Sequence, residues 1–131
     1  MIVVDASVLA NVVGDDGPDG RRARDELRSV GELAAPDLVD VETVAVLRKR
    51  WLAKTVSDRR FAAAVDDLEA LDMDRYPTIR FMRRAYELRA NVTGYDATYI
   101  ALAETLGCAL LTADRRLANS PRVRCPIRVL A

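Results

Sequence analysis

The chain has no histidine. That removes imidazole as a general base and every metal site that ligates through a ring nitrogen. Cysteine is scarce: Cys108 and Cys125 are the only two, and they lack C-x-x-C spacing, which argues against zinc. Each lies in or beside an apolar run and reads as a reduced buried thiol, so the expected compartment is the cytoplasm. Lysine is nearly absent, with Lys49 and Lys54 against 18 arginines. Forked guanidinium contacts suit a phosphate partner, although base composition of the genome would give the same excess. No apolar run is long enough to span a membrane. Asp5 interrupts the opening MIVVDASVLA with no basic residues ahead of it, so no signal peptide is expected.

What is present is a balanced chain of 131 residues, half of them hydrophobic, with 20 acidic and 20 basic side chains. That length fits a single domain over 1–131 with a real core. A neutral total does not exclude nucleic acid, because binding depends on where the charge sits. Two stretches are arginine-rich: five between positions 75 and 89, and five from 115 to the end. Both fit solvated faces, and both fit a basic rim that holds a nucleic-acid backbone.

Apolar runs and helical periodicity alternate along the chain. Strands are expected at 1–4, 32–35, 73–76, 108–112 and 127–130. Helical segments are expected at 6–13, 21–30, from Pro36–Asp37 onward, after Ser57, at 78–90 and after Gly94, with a short turn at Leu117 and Ala118. The run GDDGPDG at 14–20 reads as a loop with solvated acids. Asp37 is expected to cap the long helix and Asp40 to sit in its first turn, with Val41, Val44, Leu47 and Trp51 as its buried stripe. Phe61, Ala64, Val65, Leu68 and Leu71 are expected inward on the next helix. Tyr95, Tyr99, Leu102 and Leu106 share a stripe on the helix that Gly107 would cap. Such alternation indicates an α/β fold: a parallel sheet with helices on both faces, its ligand beyond the carboxyl ends of the strands.

Four acids can meet there. Asp5 and Asp114 follow two apolar strands, and Glu42 and Asp96 lie in the first turns of two helices. Together they would raise one another's pKa, and a divalent cation would remove the conflict. Oxygen ligands alone suit Mg²⁺ or Mn²⁺. Ser7 and Thr112, each two residues from a strand-tip acid, are placed to hold the carboxylates from behind. Each acid also has a plainer reading. Asp96 fits a capping box with Thr93, Asp114 fits an N-cap, and Glu42 fits a solvated helix acid.

DASVL at 5–9, Glu42, GYDATYIALAE at 94–104 and LLTADRRL at 110–117 together resemble a PIN domain, in particular the VapC toxins of type II toxin–antitoxin pairs. The resemblance covers essentially the whole chain. It implies a three-layer α/β/α sandwich around a parallel sheet of four to five strands. It also implies a Mg²⁺- or Mn²⁺-dependent endoribonuclease that cuts structured RNA such as tRNA or rRNA. The family's acidic positions fall on Asp5, Glu42, Asp96 and Asp114, with Thr112 as the hydroxyl of T-x-D. The family further implies a homodimer, inhibited by a VapB antitoxin whose C-terminal tail enters the acidic site. One rival is a phosphatase or phosphoacceptor. Ser7 stands where a haloacid-dehalogenase site wants an aspartate, and neither lysine is placed for a receiver domain. The other rival is the same fold as a catalytically silent binding module for RNA or an antitoxin.

Overall fold

The structure, a computed structural model, describes residues 1–130; Ala131, the last residue of the expected domain, lies outside them. Five strands form one parallel sheet: β1 (Ile2–Val4), β2 (Leu33–Pro36), β3 (Asp74–Tyr76), β4 (Leu110–Thr112) and β5 (Ile127–Val129), in the order β3-β2-β1-β4-β5. The inner strands are buried along their whole length, as strands covered on both faces must be. The edge strands are half-exposed and carry Asp74, Arg75 and Arg128, charges that discourage pairing with another chain.

Helices α1 (Ala6–Gly14), α2 (Pro18–Ser29), α3 (Leu38–Leu52) and α4 (Asp58–Ala70) pack against one another. Helix α5 (Met82–Glu87) packs on α6 (Gly94–Leu106), and α6 lies against β1, β2 and β4. This is the expected α/β/α sandwich, with the upper number of strands. Gly14 lets α1 and α3 approach closely, since a Cβ there would run into the Leu47 side chain. Gly107, at φ 66°, ends α6 in the left-handed cap expected of it.

Several local expectations change. Pro36 belongs to β2, where its missing N–H is harmless at the end of the ladder. Asp37 does stand at the N-cap of α3, but its side chain accepts from the Thr78 amide and hydroxyl, and Thr78 Oγ1 accepts from the Leu38 amide instead. Asp40 pairs with Arg75 at 2.7 Å. The loop at 14–20 shrinks to Asp15–Gly17 because Pro18 starts α2, where proline is pre-set for the first helical turn. Asp15 is no idle solvated acid: its Oδ1 accepts from the Gly17 and Gly20 amides. The helix expected at 78–90 is a 3₁₀ turn (Thr78–Phe81) followed by the short α5. The buried face of α3 is Val39, Thr43 and Leu47, and Val41 is left 70% exposed. Tyr95 is likewise exposed, while Tyr99 and Leu102 are buried.

Candidate active site

Strand order reverses between β1 and β4, the position at which open α/β sheets form a crevice beyond their carboxyl ends. The strands on either side of that reversal deliver Asp5 and Asp114. Helix α3, after β2, brings Glu42 to the same edge, and the N-terminus of α6 brings Asp96. All four acids line one cleft of about 370 Å³. The convergence expected from the sequence is therefore present.

Asp5 is 7% exposed. It caps α1 by accepting from the Val8 amide, and Ser7 donates to its Oδ1 at 2.6 Å. Ser7 Oγ also accepts from the Ala113 amide at 3.0 Å, so one hydroxyl ties the tip of β1 to the tip of β4. Thr112 is fully buried and accepts from the Asp114 amide at 3.0 Å. The Ser7 hydroxyl thus holds the Asp5 carboxylate, whereas the Thr112 hydroxyl holds the backbone of Asp114 and not its carboxylate. Glu42 is not a solvated helix acid: Tyr99 donates to its Oε1 at 2.6 Å. Thr93 does cap α6, accepting from the Asp96 amide. Asp114 does cap the 3₁₀ turn Arg115–Asn119, and both its oxygens also take the Arg116 guanidinium fork, at 3.0 and 2.9 Å. A capping role and a place in the cleft coexist in these residues.

The electrostatics couple the four. Burial pushes Asp5 above the ordinary carboxylate range, against hydrogen bonds from Ser7, Thr112 and Val8, and the Asp96 charge pushes it further. Burial lifts Glu42 too; the Tyr99 hydrogen bond opposes this, and the charges of Asp96 and Asp5 add to it. Asp96 rises for the same first reason, with Asp114 adding and Thr93 and Arg116 opposing. Asp114 goes the other way, held low by its hydrogen bonds to Arg116.

Three desolvated, mutually repelling carboxylates offering only oxygen fit a hard divalent cation. Among the described residues no three acidic or cysteine side chains already stand as a cation cage. Asp5, Glu42 and Asp114 are instead turned onto Ser7, Tyr99 and Arg116.

Two lining residues escape sequence reasoning. Tyr99 reads as core from its stripe, yet its hydroxyl holds Glu42. Its place three residues after Asp96, on the same face of a helix, is the signal. Lys49 also lines the cleft. Glu42, Ala45, Val46 and Lys49 follow the helical repeat i, i+3, i+4, i+7, which puts the lysine two turns from the glutamate on one face. The arginine-rich stretch from 75 to 89 divides. Arg75 is bound to Asp40 and backbone carbonyls and Arg84 to Glu104, whereas Arg80, Arg83 and Arg89 are exposed.

Residues 2–123 match the PIN domain family. The chain is 42% identical over 130 residues to Ribonuclease VapC9 of Mycobacterium tuberculosis, covering 99% of this chain and 98% of that one. Among solved structures it resembles Mycobacterium tuberculosis VapC20, described as a Sarcin-Ricin loop cleaving toxin, with TM-score 0.67 and 19% identity over 84% of this chain and 87% of that one. It also resembles VapBC2 from Rickettsia felis, described as bound to a DNA fragment from the promoter, with TM-score 0.66 and 12% identity over 98% and 99%. At those identities the two structures speak for the fold alone.

Proposed function

The chain belongs to the PIN-domain family, among its VapC ribonucleases, and from that premise we propose that it is a divalent-metal-dependent endoribonuclease toxin. The observation that carries this reading is the coupling of Asp5, Glu42, Asp96 and Asp114 in one cleft at the strand-order reversal. Asp5, Glu42 and Asp96, with Asp114 once it leaves Arg116, would hold Mg²⁺ or Mn²⁺. Such an ion makes water acidic enough to attack a phosphodiester and offsets the charge that builds on the phosphoryl group. The chain's own work is to keep four carboxylates close together: Ser7 braces Asp5, Tyr99 braces Glu42, the α6 cap fixes the backbone of Asp96, and Thr112 fixes that of Asp114. Lys49, on the wall of the cleft, is placed to meet a phosphate.

The RNA proposed is structured, of the tRNA or rRNA class; the solved structure VapC20 is itself described as a Sarcin-Ricin loop cleaving toxin. A VapB-type antitoxin is the proposed protein partner. The apolar side chains of Val41, Trp51 and Leu52, left at the surface of α3, support a protein contact there. A homodimer and a cytoplasmic location complete the proposal; no helix among the described residues is long and apolar enough to cross a membrane.

The test is cleavage of total cellular RNA by purified protein with Mg²⁺ or Mn²⁺, with chelator, and with Asp5→Asn, the cuts mapped by end-sequencing. Discrete metal-dependent cuts that vanish in Asp5→Asn are expected. Equal cutting by the variant, or none by the wild type, would replace the nuclease with a silent binding module of the same fold.

A further inference from the structure

A second groove, of about 550 Å³, opens beside the acidic cleft and shares Asp96 and Asp114 with it. Its remaining wall is of different character. Arg89, Asn91, Thr93, Arg116 and Ser120 line a space that begins at the acids, with the Arg116 fork kept on Asp114 and the Thr93 hydroxyl on the cap of α6.

Arg89 is exposed and makes no ion pair among the described residues, yet it is held in place. Its guanidinium carbon sits 4.1 Å over the centre of the Tyr86 ring, and its Nη1 donates to the Tyr86 carbonyl at 3.0 Å. Stacking on an aromatic face fixes the plane of an arginine and leaves its other N–H groups free, a state prepared to receive a phosphate with little further loss of freedom. Tyr86 is itself 56% exposed, with Arg83 on the same ring at 6.0 Å. Asn91 adds a second sign: its Nδ2 is buried and has no hydrogen-bond partner among the described residues. That buried amide is a polar group the fold itself leaves unsatisfied in a residue lining the groove.

We propose that this groove, from Arg116 to the Tyr86-stacked Arg89, holds the RNA strand on one side of the phosphate to be cut. The inference rests on the ribonuclease reading above and adds to it a direction: the substrate leaves the acidic cleft over the 89–93 segment. Arg89 acts as a binding residue and Tyr86 as the residue that positions it. The groove is assigned phosphate and ribose, not bases, because guanidinium and hydroxyl groups dominate its polar wall.

The experiment has two arms. In the first, a fluorescent single-stranded oligoribonucleotide of mixed sequence is titrated into Asp5→Asn protein with and without Arg89→Ala, Tyr86→Leu or, as control, Arg59→Ala on the exposed side of α4. Arg89→Ala is expected to weaken binding about fivefold to tenfold and to reduce the slope of log affinity against log salt by about 0.7, the loss of one single-strand phosphate contact. Tyr86→Leu keeps bulk without the aromatic face and is expected to weaken binding about twofold to threefold, the scale of an exposed cation–π contact. Arg59→Ala should bind like its parent. In the second arm, Arg89→Ala in the otherwise wild-type chain should raise KM for RNA cleavage while kcat stays within about twofold.

If wild type cuts RNA and Arg89→Ala matches it in binding and KM, the groove is wrong and the nuclease stands. If wild type fails to cut under any metal while Arg89→Ala still loses RNA, the groove stands and the nuclease fails. If Arg59→Ala loses as much as Arg89→Ala, the effect is general charge and the groove proposal is overturned.

Discussion

The Tyr99 hydroxyl donates to Glu42 Oε1 at 2.6 Å across 57 residues of sequence, joining α6 to α3 at the floor of the acidic cleft. Tyr99 is 2% exposed, so the bond is made largely out of water, and burial together with the neighbouring carboxylates pushes its phenol far above the ordinary range. The tyrosine therefore stays protonated and serves Glu42 only as a donor. Tyr99→Phe keeps the ring and removes the donor. We expect a loss of about 1 kcal/mol in stability, the usual net value of one hydrogen bond, and a fall in RNA cleavage of about tenfold to hundredfold, typical for a residue supporting a ligand. Because the Tyr99 bond holds Glu42 down against burial, the acid limb of the pH–rate profile should move to higher pH. An unchanged profile would reduce Tyr99 to a packing residue.

Ser7 is tested in the same spirit but carries a different load. Its hydroxyl donates to Asp5 and accepts from the Ala113 amide, so Ser7→Ala breaks two bonds and removes the side-chain tie between the tips of β1 and β4, leaving their backbone ladder in place. A loss of about 1–3 kcal/mol is expected. Asp5, already lifted by burial, would lose one of the hydrogen bonds that restrain it and rise further. Cleavage should then fall most at acidic pH and recover partly as pH is raised. Ser7→Thr, which retains the hydroxyl, should restore most of the activity; failure of that rescue would count against the hydroxyl.

Much of this site is legible in the order of residues alone. Asp5 and Asp114 show because each ends a short apolar strand, and parallel strands present such ends on one edge. The α3 stripe misleads for a physical reason. Val41, Val44 and Trp51 have helical spacing, but α3 has two apolar faces. Val39, Thr43 and Leu47 are buried, while Trp51 turns toward Phe61 of α4 at a ring distance of 6.4 Å. Periodicity alone does not say which face meets the sheet. Asp37 and Asp40 have the spacing of local helix-start acids, and both are committed to partners far along the chain, Thr78 and Arg75. Lys49 and the Tyr99 hydroxyl stay hidden because a stripe identifies the side a residue faces, not the atom it reaches.

The three raised acids make a prediction about stability. Asp5, Glu42 and Asp96 have folded pKa values above their unfolded ones, so the folded state binds protons more tightly. Their favourable contribution is fully present below the unfolded values near 3.8 and 4.5 and is lost as pH rises through the folded values. Asp37 and Glu104, both lowered, act oppositely, and their contribution is lost only as pH falls below the same unfolded values. With chelator present, Tm should therefore rise as pH falls from neutral toward about 5, before the lowered acids begin to protonate. Mn²⁺ should raise Tm at neutral pH and do so less at about pH 5, where protons compete for the same oxygens. Scanning fluorimetry over pH, with and without Mn²⁺, reads both; a Tm indifferent to Mn²⁺ at neutral pH would count against the cation site.

Arg116 offers the last test. Its fork neutralises Asp114, yet the arginine side chain is 90% exposed, so the pair is screened by solvent and contributes little to the fold. Arg116→Gln should hardly move Tm. It should, however, free Asp114 toward the cleft and leave the acids more negative by one uncompensated charge. An incoming cation would no longer compete with the guanidinium, and Mn²⁺ binding should tighten by about twofold to fivefold, the equilibrium equivalent of an exposed ion pair. Titration of Mn²⁺ followed by calorimetry or by loss of the free-ion paramagnetic signal measures this without reference to cleavage. Looser binding would mean that Arg116 aligns Asp114 for the metal instead of opposing it. Unchanged binding would remove Asp114 from the set of acids that hold the cation and leave Asp5, Glu42 and Asp96.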